Sequence, residues 1–360
     1  MHYNLEEYKN AIKSFTNLIT LKIEEPKVYH ARGLSNLRIG QIENAKNDFN
    51  KAISINKNYA EAYFCLGMLY FEKFENLKAI DYFIQSIKIK NKFDQAIKYL
   101  SLALASTNEL LTYDSNIINS HNEIRKIKVN YSENKFIDDI IVKDFYYKVN
   151  NIVKKNCNDI NLKATQISRN KFTFLNCKRQ KKIFNTYSVI PKFCFGCYKV
   201  QIELETIVDL IKLFIIFDNI DLENDNIRKT MIETRPNVKA NYKGLIYCGS
   251  LSEAKIIENK FKSLLKTNIK NNVVCKVKRG CTEFADKYPN YNSFGDDKLT
   301  YNENWHKYEN IIDEKYPHLH VKKQNIPTVK GLSLNDVLII KNWLNYAKKI
   351  GDETYKLIEN

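Results

Sequence analysis

The stretch "AEAYFCLGMLYFEKFENLKAIDYFIQSIKIKN", residues 60–91, decides the fold of the first third of the chain. Set beneath "PKVYHARGLSNLRIGQIENAKNDFNKAISINK", residues 26–57, it repeats at an offset of 34 residues. Gly33 aligns with Gly67, Ala45 with Ala79, Phe49 with Phe83, and Ala52 with Ser86; one period earlier, Ala11 and Phe15 fall in register with Ala45 and Phe49. A fixed period of this length marks a supersecondary unit that cannot bury its apolar face alone and must stack on its neighbours. The small residues fit this logic. Gly33 and Gly67 let the first helix of each pair approach the second, Ala45 and Ala79 open the second helix at that contact, and Phe49 and Phe83 fill the space between pairs.

These positions resemble the tetratricopeptide repeat (TPR) family. Tyr63, Leu66, Gly67, Tyr70, Ala79 and Phe83 stand at its signature positions in one unit, and Tyr29, Gly33, Ala45, Phe49 and Ala52 in the unit before. The resemblance implies helical hairpins over residues 1–111. Residues 1–25 would supply only the second helix of a unit, as if the array were clipped or the protein began upstream, and 93–111 would supply a capping helix. It also implies a concave groove lined by the first helices, which usually holds a peptide or partner helix. Carried over by position, the groove presents Lys27, His30, Leu34, Arg38, Phe64, Met68, Phe71 and Lys98: an apolar floor with basic rims, suited to an apolar side chain with acidic flanks. The alternative is that several of these residues pack within the protein itself.

The 360-residue chain is too long for one small domain, and its 44% hydrophobic content excludes wholesale disorder. The N-terminus lacks the pattern of a secretory signal. The most apolar run, "IVDLIKLFIIF" (207–217), is too short for a membrane span and carries Asp209 and Lys212. Eight cysteines at irregular spacing without a secretion signal point to reduced thiols in the cytoplasm. The net charge of +16 is uneven: residues 1–110 carry +3, and residues 121–200 carry +11, including "CKRQKK" (177–182). A solvated basic face and an anionic partner, nucleic acid among them, both fit this excess. With 49 Lys against 8 Arg, part of the charge reads as codon bias.

Residues 112–180 read as a basic, partly helical linker region, with "FIDDIIVKDFYYKVNNIVKK" (136–155) as a connecting helix. Beyond 180, "CYKVQIELE" (197–205), "GLIYCG" (244–249) and "NVVCKVKRG" (272–280) read as strands. "TIVDLIKLFIIFDN" (206–219) reads as a buried helix, with a strand as the alternative; "NDNIRKTMIETRP" (224–236), "SLSEAKIIENKFKSLLK" (250–266) and "SLNDVLIIKNWLNYAKKI" (333–350) read as helices. Ser250 and Ser333 are the expected caps of the last two, and Gly351 the expected stop. The β–α–β order predicts a mixed α/β domain over 181–360 with some parallel pairing. The whole is α + α/β: a helical solenoid followed by this domain, whose family the sequence does not reveal.

The cysteines carry the chemical alternatives. Cys194 and Cys197 form a CxxC, the spacing that lets two thiolates face one ion. With Cys248 and Cys281 they would make a discontinuous four-thiolate site for zinc or an iron–sulfur cluster. A dithiol redox pair and two buried small hydrophobes are the competing readings, and no cofactor is expected on balance. Cys281 follows a strand and a glycine turn, with Lys276, Lys278 and Arg279 nearby, a setting that favours thiolate. His306, His318 and His320 lie downstream as candidate bases or, in "HLH", as a metal pair. Three functions follow: an interaction scaffold using the groove; an enzyme on an anionic substrate using Cys281, Arg279 and a metal at Cys194 and Cys197; and nucleic-acid binding through 121–200.

Overall fold

The computed structural model describes residues 5–169, 177–236, 238–269, 271–319 and 329–359. The chain divides into two compact units, with the boundary between Leu111 and Thr112.

The described residues of the first unit form α1 (Leu5–Thr20), α2 (Pro26–Arg38), α3 (Ile42–Ile55), α4 (Ala60–Glu72), α5 (Asn76–Ile89) and α6 (Asp94–Leu104). The hairpins α2–α3 and α4–α5 are the repeated pairs, with α1 against α2, α3 against α4 and α5 against α6. A Cβ on Gly33 would stand 2.7 Å from the Phe49 ring, and one on Gly67 would stand 2.5 Å from the Phe83 ring. Glycine is therefore what lets each hairpin close. Ala45, Phe49, Ala52, Ala79 and Phe83 have no exposed surface. Gly40 (φ 81°) and Phe74 (φ 62°) take the same left-handed turn one period apart. Arg32 and Asn36 on α2 both bond the buried Asp48 of α3, Arg32 through a 2.6 Å ion pair.

The second unit opens with α7 (Asn116–Arg125), α8 (Asp139–Asn156) and β1 (Gln166–Arg169). The expected linker thus belongs to the domain: α8 packs on α7 and on the buried helix described next, and β1 is a strand of the sheet. Then come α9 (Cys177–Tyr187), α10 (Lys192–Phe195), β2 (Tyr198–Leu204), α11 (Ile207–Asn219), β3 (Arg228–Ile232), β4 (Tyr242–Cys248), α12 (Leu251–Asn268) and β5 (Val274–Arg279). Two 3-10 turns, Thr282–Asp286 and Pro289–Asn292, lead to α13 (His306–Lys315), α14 (Leu334–Ile350) and α15 (Lys356–Glu359).

The five strands run in the order β1-β3-β4-β2-β5, and every neighbouring pair is antiparallel. This corrects the expectation of parallel pairing. The β4–α12–β5 unit is present, and β4 and β5 do run the same way, because both are antiparallel to β2. β2 lies between them, a split β–α–β arrangement that periodicity cannot reveal. A second correction falls on 224–236, read as a helix: it contains β3, whose burial alternates with Arg228, Thr230 and Ile232 inward.

Helices α11, α12 and α14 pack against the sheet. Gly244 faces α11, where an added Cβ would meet Leu213 at 2.4 Å. Helix α11 is buried along its length up to Asp218. Its Lys212 is accommodated by a 2.6 Å ion pair with Asp139 and by the Phe136 ring. Arg169, also buried, bridges Asp218 at 2.6 Å and Asp336 at 3.1 Å. Ser333 and Asp336 form a capping box on α14, and Gly351 ends it at φ 79°.

Candidate functional site

The candidate residues fall on two surfaces, one in each unit. In the first unit, Lys27, Leu34, Arg38 and Lys98 are exposed, and His30, Phe64 and Met68 are half-buried. Phe71, expected on the groove floor, is instead a core residue; its ring packs on Phe83 and Tyr99. Phe64 stands nearer the surface, with its ring against Phe83, Phe93 and Tyr99. The His30 Nδ1 lies 3.3 Å from the Tyr59 hydroxyl and its Nε2 3.5 Å from the Cys65 sulfur. Burial lowers the His30 pKa, and Glu61 opposes that shift. His30 therefore acts as a neutral, half-buried packing group beside the exposed Leu34.

In the second unit the register determines what each sheet face carries. Alternate residues point to opposite faces, so Ile202, Gly244 and Ile246 look toward the helices. Lys199, Lys229, Lys243, Lys276, Lys278 and Tyr247 share the other face. Two of these lysines are spent locally, Lys243 on Glu233 (3.1 Å) and Lys276 on Glu203 (2.8 Å). Lys199 donates to the Gly280 carbonyl at 3.0 Å, and the Lys229 ammonium sits 5.4 Å from the Tyr247 ring centroid. Burial lowers the pKa of Lys199, Lys229 and Lys278 and raises that of Tyr247.

Beside this face lie two thiols. They are Cys177, the first residue of α9, and Cys281, just after β5, and each perturbs the titration of the other. The Cys281 thiol, with Lys181 and Lys229 adding positive charge, brings the Cys177 pKa down to about 7. Cys281 is pushed up by Cys177, with burial and Glu283 adding to the shift. Both are half-buried, whereas the other six cysteines are buried. A groove of about 540 Å³ is lined by Lys181, Phe184, Asn185 and Ser188 of α9 and the turn after it, and by Glu283, Phe284, Asp286 and Lys287.

The remaining candidates sit elsewhere. Arg279 does not face solvent: it donates to the carbonyls of Phe195 (2.7 Å) and Tyr291 (3.0 Å) and to the Tyr198 hydroxyl (2.7 Å), among the Tyr198, Tyr291 and Phe294 rings. It pins the loop after β5 to the end of α10. Cys194 belongs to an apolar cluster with Ile190, Phe284 and Tyr291, and burial pushes its thiol up. Burial raises Cys197 to about 11 and Cys248 to about 12. Among the described residues no three His, Cys, Asp or Glu side chains are grouped so as to hold a metal. His320 of the HLH pair lies outside the described residues. His306 opens α13. In "CKRQKK", Arg179 is committed to Asp313 and Glu309. Among the described residues no helix is long and apolar enough to cross a membrane.

The sequence reading singled out Cys281 but passed over Cys177, Lys199, Lys229 and Tyr247. The signal for the lysines was present: Lys199 alternates with Val200 and Ile202 in a strand buried on one face. Cys177 opens the basic run that drew notice only for its charge.

Comparison with known proteins bears on the first unit. Models described as "TPR repeat" and "Tetratricopeptide repeat" match residues 37–73 and 60–93. Over 80 residues the chain is 35% identical to tetratricopeptide repeat protein 6 of Homo sapiens, covering 22% of this chain and 15% of that protein. Over 91 residues it is 28% identical to anaphase-promoting complex subunit 3 of Schizosaccharomyces pombe, covering 25% and 14%. The chain thus spans about a seventh of the length of these curated relatives. Among solved structures, MamA aligns with 27% of this chain and 56% of its own at 31% identity and a TM-score of 0.26. Residues 37–93 of this chain are a tetratricopeptide-repeat segment.

Proposed function

We propose that the protein is a protein-interaction scaffold whose TPR unit holds a peptide or helix presenting an apolar side chain between acidic flanks, in a reducing compartment such as the cytoplasm. The observation that carries this reading is the TPR segment itself, a repeat whose stacked first helices leave side chains unspent on the core. Leu34 is 41% exposed on α2 between the exposed Lys27 and Arg38, His30 shares that helix, Phe64 and Met68 stand half-buried on α4, and Lys98 is exposed on α6. An apolar anchor would supply affinity, and the basic rim would steer an acidic partner and fix its register. The eight free cysteines, six of them buried, fit a reducing environment.

A labelled peptide with one leucine flanked by aspartates and glutamates tests this by fluorescence anisotropy on the full chain. Lys27→Glu combined with Arg38→Glu should weaken binding about tenfold or more, and the wild-type affinity should fall as salt rises. Equal binding by wild type and charge-reversed chain, or no binding by either, would remove the reading.

A further inference from the structure

We propose that the sheet face turned away from α11, α12 and α14 binds single-stranded nucleic acid, with lysines on its phosphates and apolar side chains under its bases. Contacts show which face the helices leave. Gly244 of β4 faces Leu213 of α11, the Cys275 thiol of β5 donates to the Glu258 carbonyl of α12, and Arg169 of β1 pairs with Asp336 of α14. In the register Ile202 opposes both Gly244 and Cys275, and Arg228 opposes both Arg169 and Ile246. Side chains of directly opposed residues share a face, and so do residues two apart on one strand. All three helices therefore pack on one side. An antiparallel sheet can leave its other side to water and to ligands.

The same register lays out that other side. Tyr247 and Leu245 stand two apart on β4, and Met231 of β3 opposes the next residue of that row, Lys243. They make an apolar strip with Leu245 as its buried floor and Tyr247 and Met231 half-buried. Lys229 of β3, opposite Leu245, flanks the strip on one side; Lys199 of β2, opposite Tyr247, and Lys278 of β5, opposite Lys199, flank it on the other. These three lysines are half-buried, and among the described residues none of them makes an ion pair, whereas Lys243 and Lys276 on the same face do. Buried ammonium groups ordinarily have a countercharge. Three without one, spread over three strands instead of converging on a point, suit an extended polyanion better than a single phosphate. Cations on either side of an apolar strip match phosphates running past stacked bases; the acidic side chains of a polypeptide have no such planar apolar groups between them.

The test titrates the full chain into labelled oligouridylate and oligothymidylate and follows fluorescence anisotropy. Both single strands should bind, with affinity falling as salt rises, and a duplex of the same length should bind more weakly because its bases are hidden. Lys199→Gln combined with Lys278→Gln should weaken binding about tenfold or more at ~0.1 M salt and flatten the log–log salt slope by about 1.4. Lys255→Gln combined with Lys266→Gln makes the same charge change at exposed positions of α12, on the far side of the sheet, and should leave the affinity unchanged. Acetylation footprinting of the wild type, read by mass spectrometry, should show oligouridylate shielding Lys199, Lys229 and Lys278 while Lys255 and Lys266 stay reactive. That footprint decides the matter even where a variant misfolds. No single-strand binding, duplex binding as tight or tighter, equal displacement by polyglutamate, a footprint elsewhere, or equal losses in the two double variants would overturn the proposal.

Discussion

At the scale of single residues, Gly33 and Gly67 show how a contact distance sets the sign of a substitution. Alanine at either position gains about 1 kcal/mol of helix propensity and meets a buried phenylalanine ring. At Gly67 the new methyl would stand 2.5 and 2.6 Å from two Phe83 ring atoms; at Gly33 the two nearest Phe49 atoms are 2.7 and 3.1 Å away. Neither ring has exposed surface to retreat into. Overpacking of this kind costs about 1–3 kcal/mol, so against the propensity gain Gly67→Ala, with the closer contact, should be a net loss of about 1–2 kcal/mol and Gly33→Ala distinctly less. Urea unfolding checks both, and a Gly67→Ala chain as stable as wild type would contradict the packing argument. These glycines were legible in the sequence because they recur at the repeat period. The nearness of Cys177 and Cys281 was not, because nothing local to either residue names the other.

At the scale of elements, helix starts were legible and strand neighbours were not. Ser250 and Ser333 cap α12 and α14 as their spacing implies, since capping is a contest over a few adjacent residues. Which strand lies beside which depends on insertions such as β2 between β4 and β5. Helix α14 has a further device that no spacing reveals. The first backbone N–H of the helix, that of Leu334, donates to His121 Nδ1 at 3.4 Å, which requires a neutral imidazole. Burial, with Arg125 nearby, lowers the His121 pKa to about 4, against a weaker opposing pull from Asp336. Because the folded pKa lies below the unfolded value of 6.5, the unfolded chain takes up this proton first. Stability is therefore intact above about pH 6.5 and falls as the pH drops toward 4, by about 3 kcal/mol from this one site. His121→Gln keeps an acceptor and removes the titration, so urea unfolding at several pH values should show a shallower acid slope for the variant. Identical slopes would rule out this origin.

At the scale of the whole chain, composition limited the possibilities without choosing among them. It pointed to two parts, and the basic excess it located in 121–200 is spread over α7, α8, β1 and α9, where Arg169 and Arg179 serve internal ion pairs. The strand register has a consequence for how the chain comes to be folded. In the first unit each helix contacts helices adjacent or nearly adjacent in sequence, so its loops close cheaply. In the second, β2 must wait for both β4 and β5, and β1 for β3, before any of them is flanked. Chains dominated by such distant pairings fold more slowly than those built from local contacts. Pulse-labelled hydrogen exchange during refolding should therefore protect amides in α2–α5 before those in β1–β5, and simultaneous protection would contradict it. On the ribosome, the repeat segment would then be finished while the sheet is still being made.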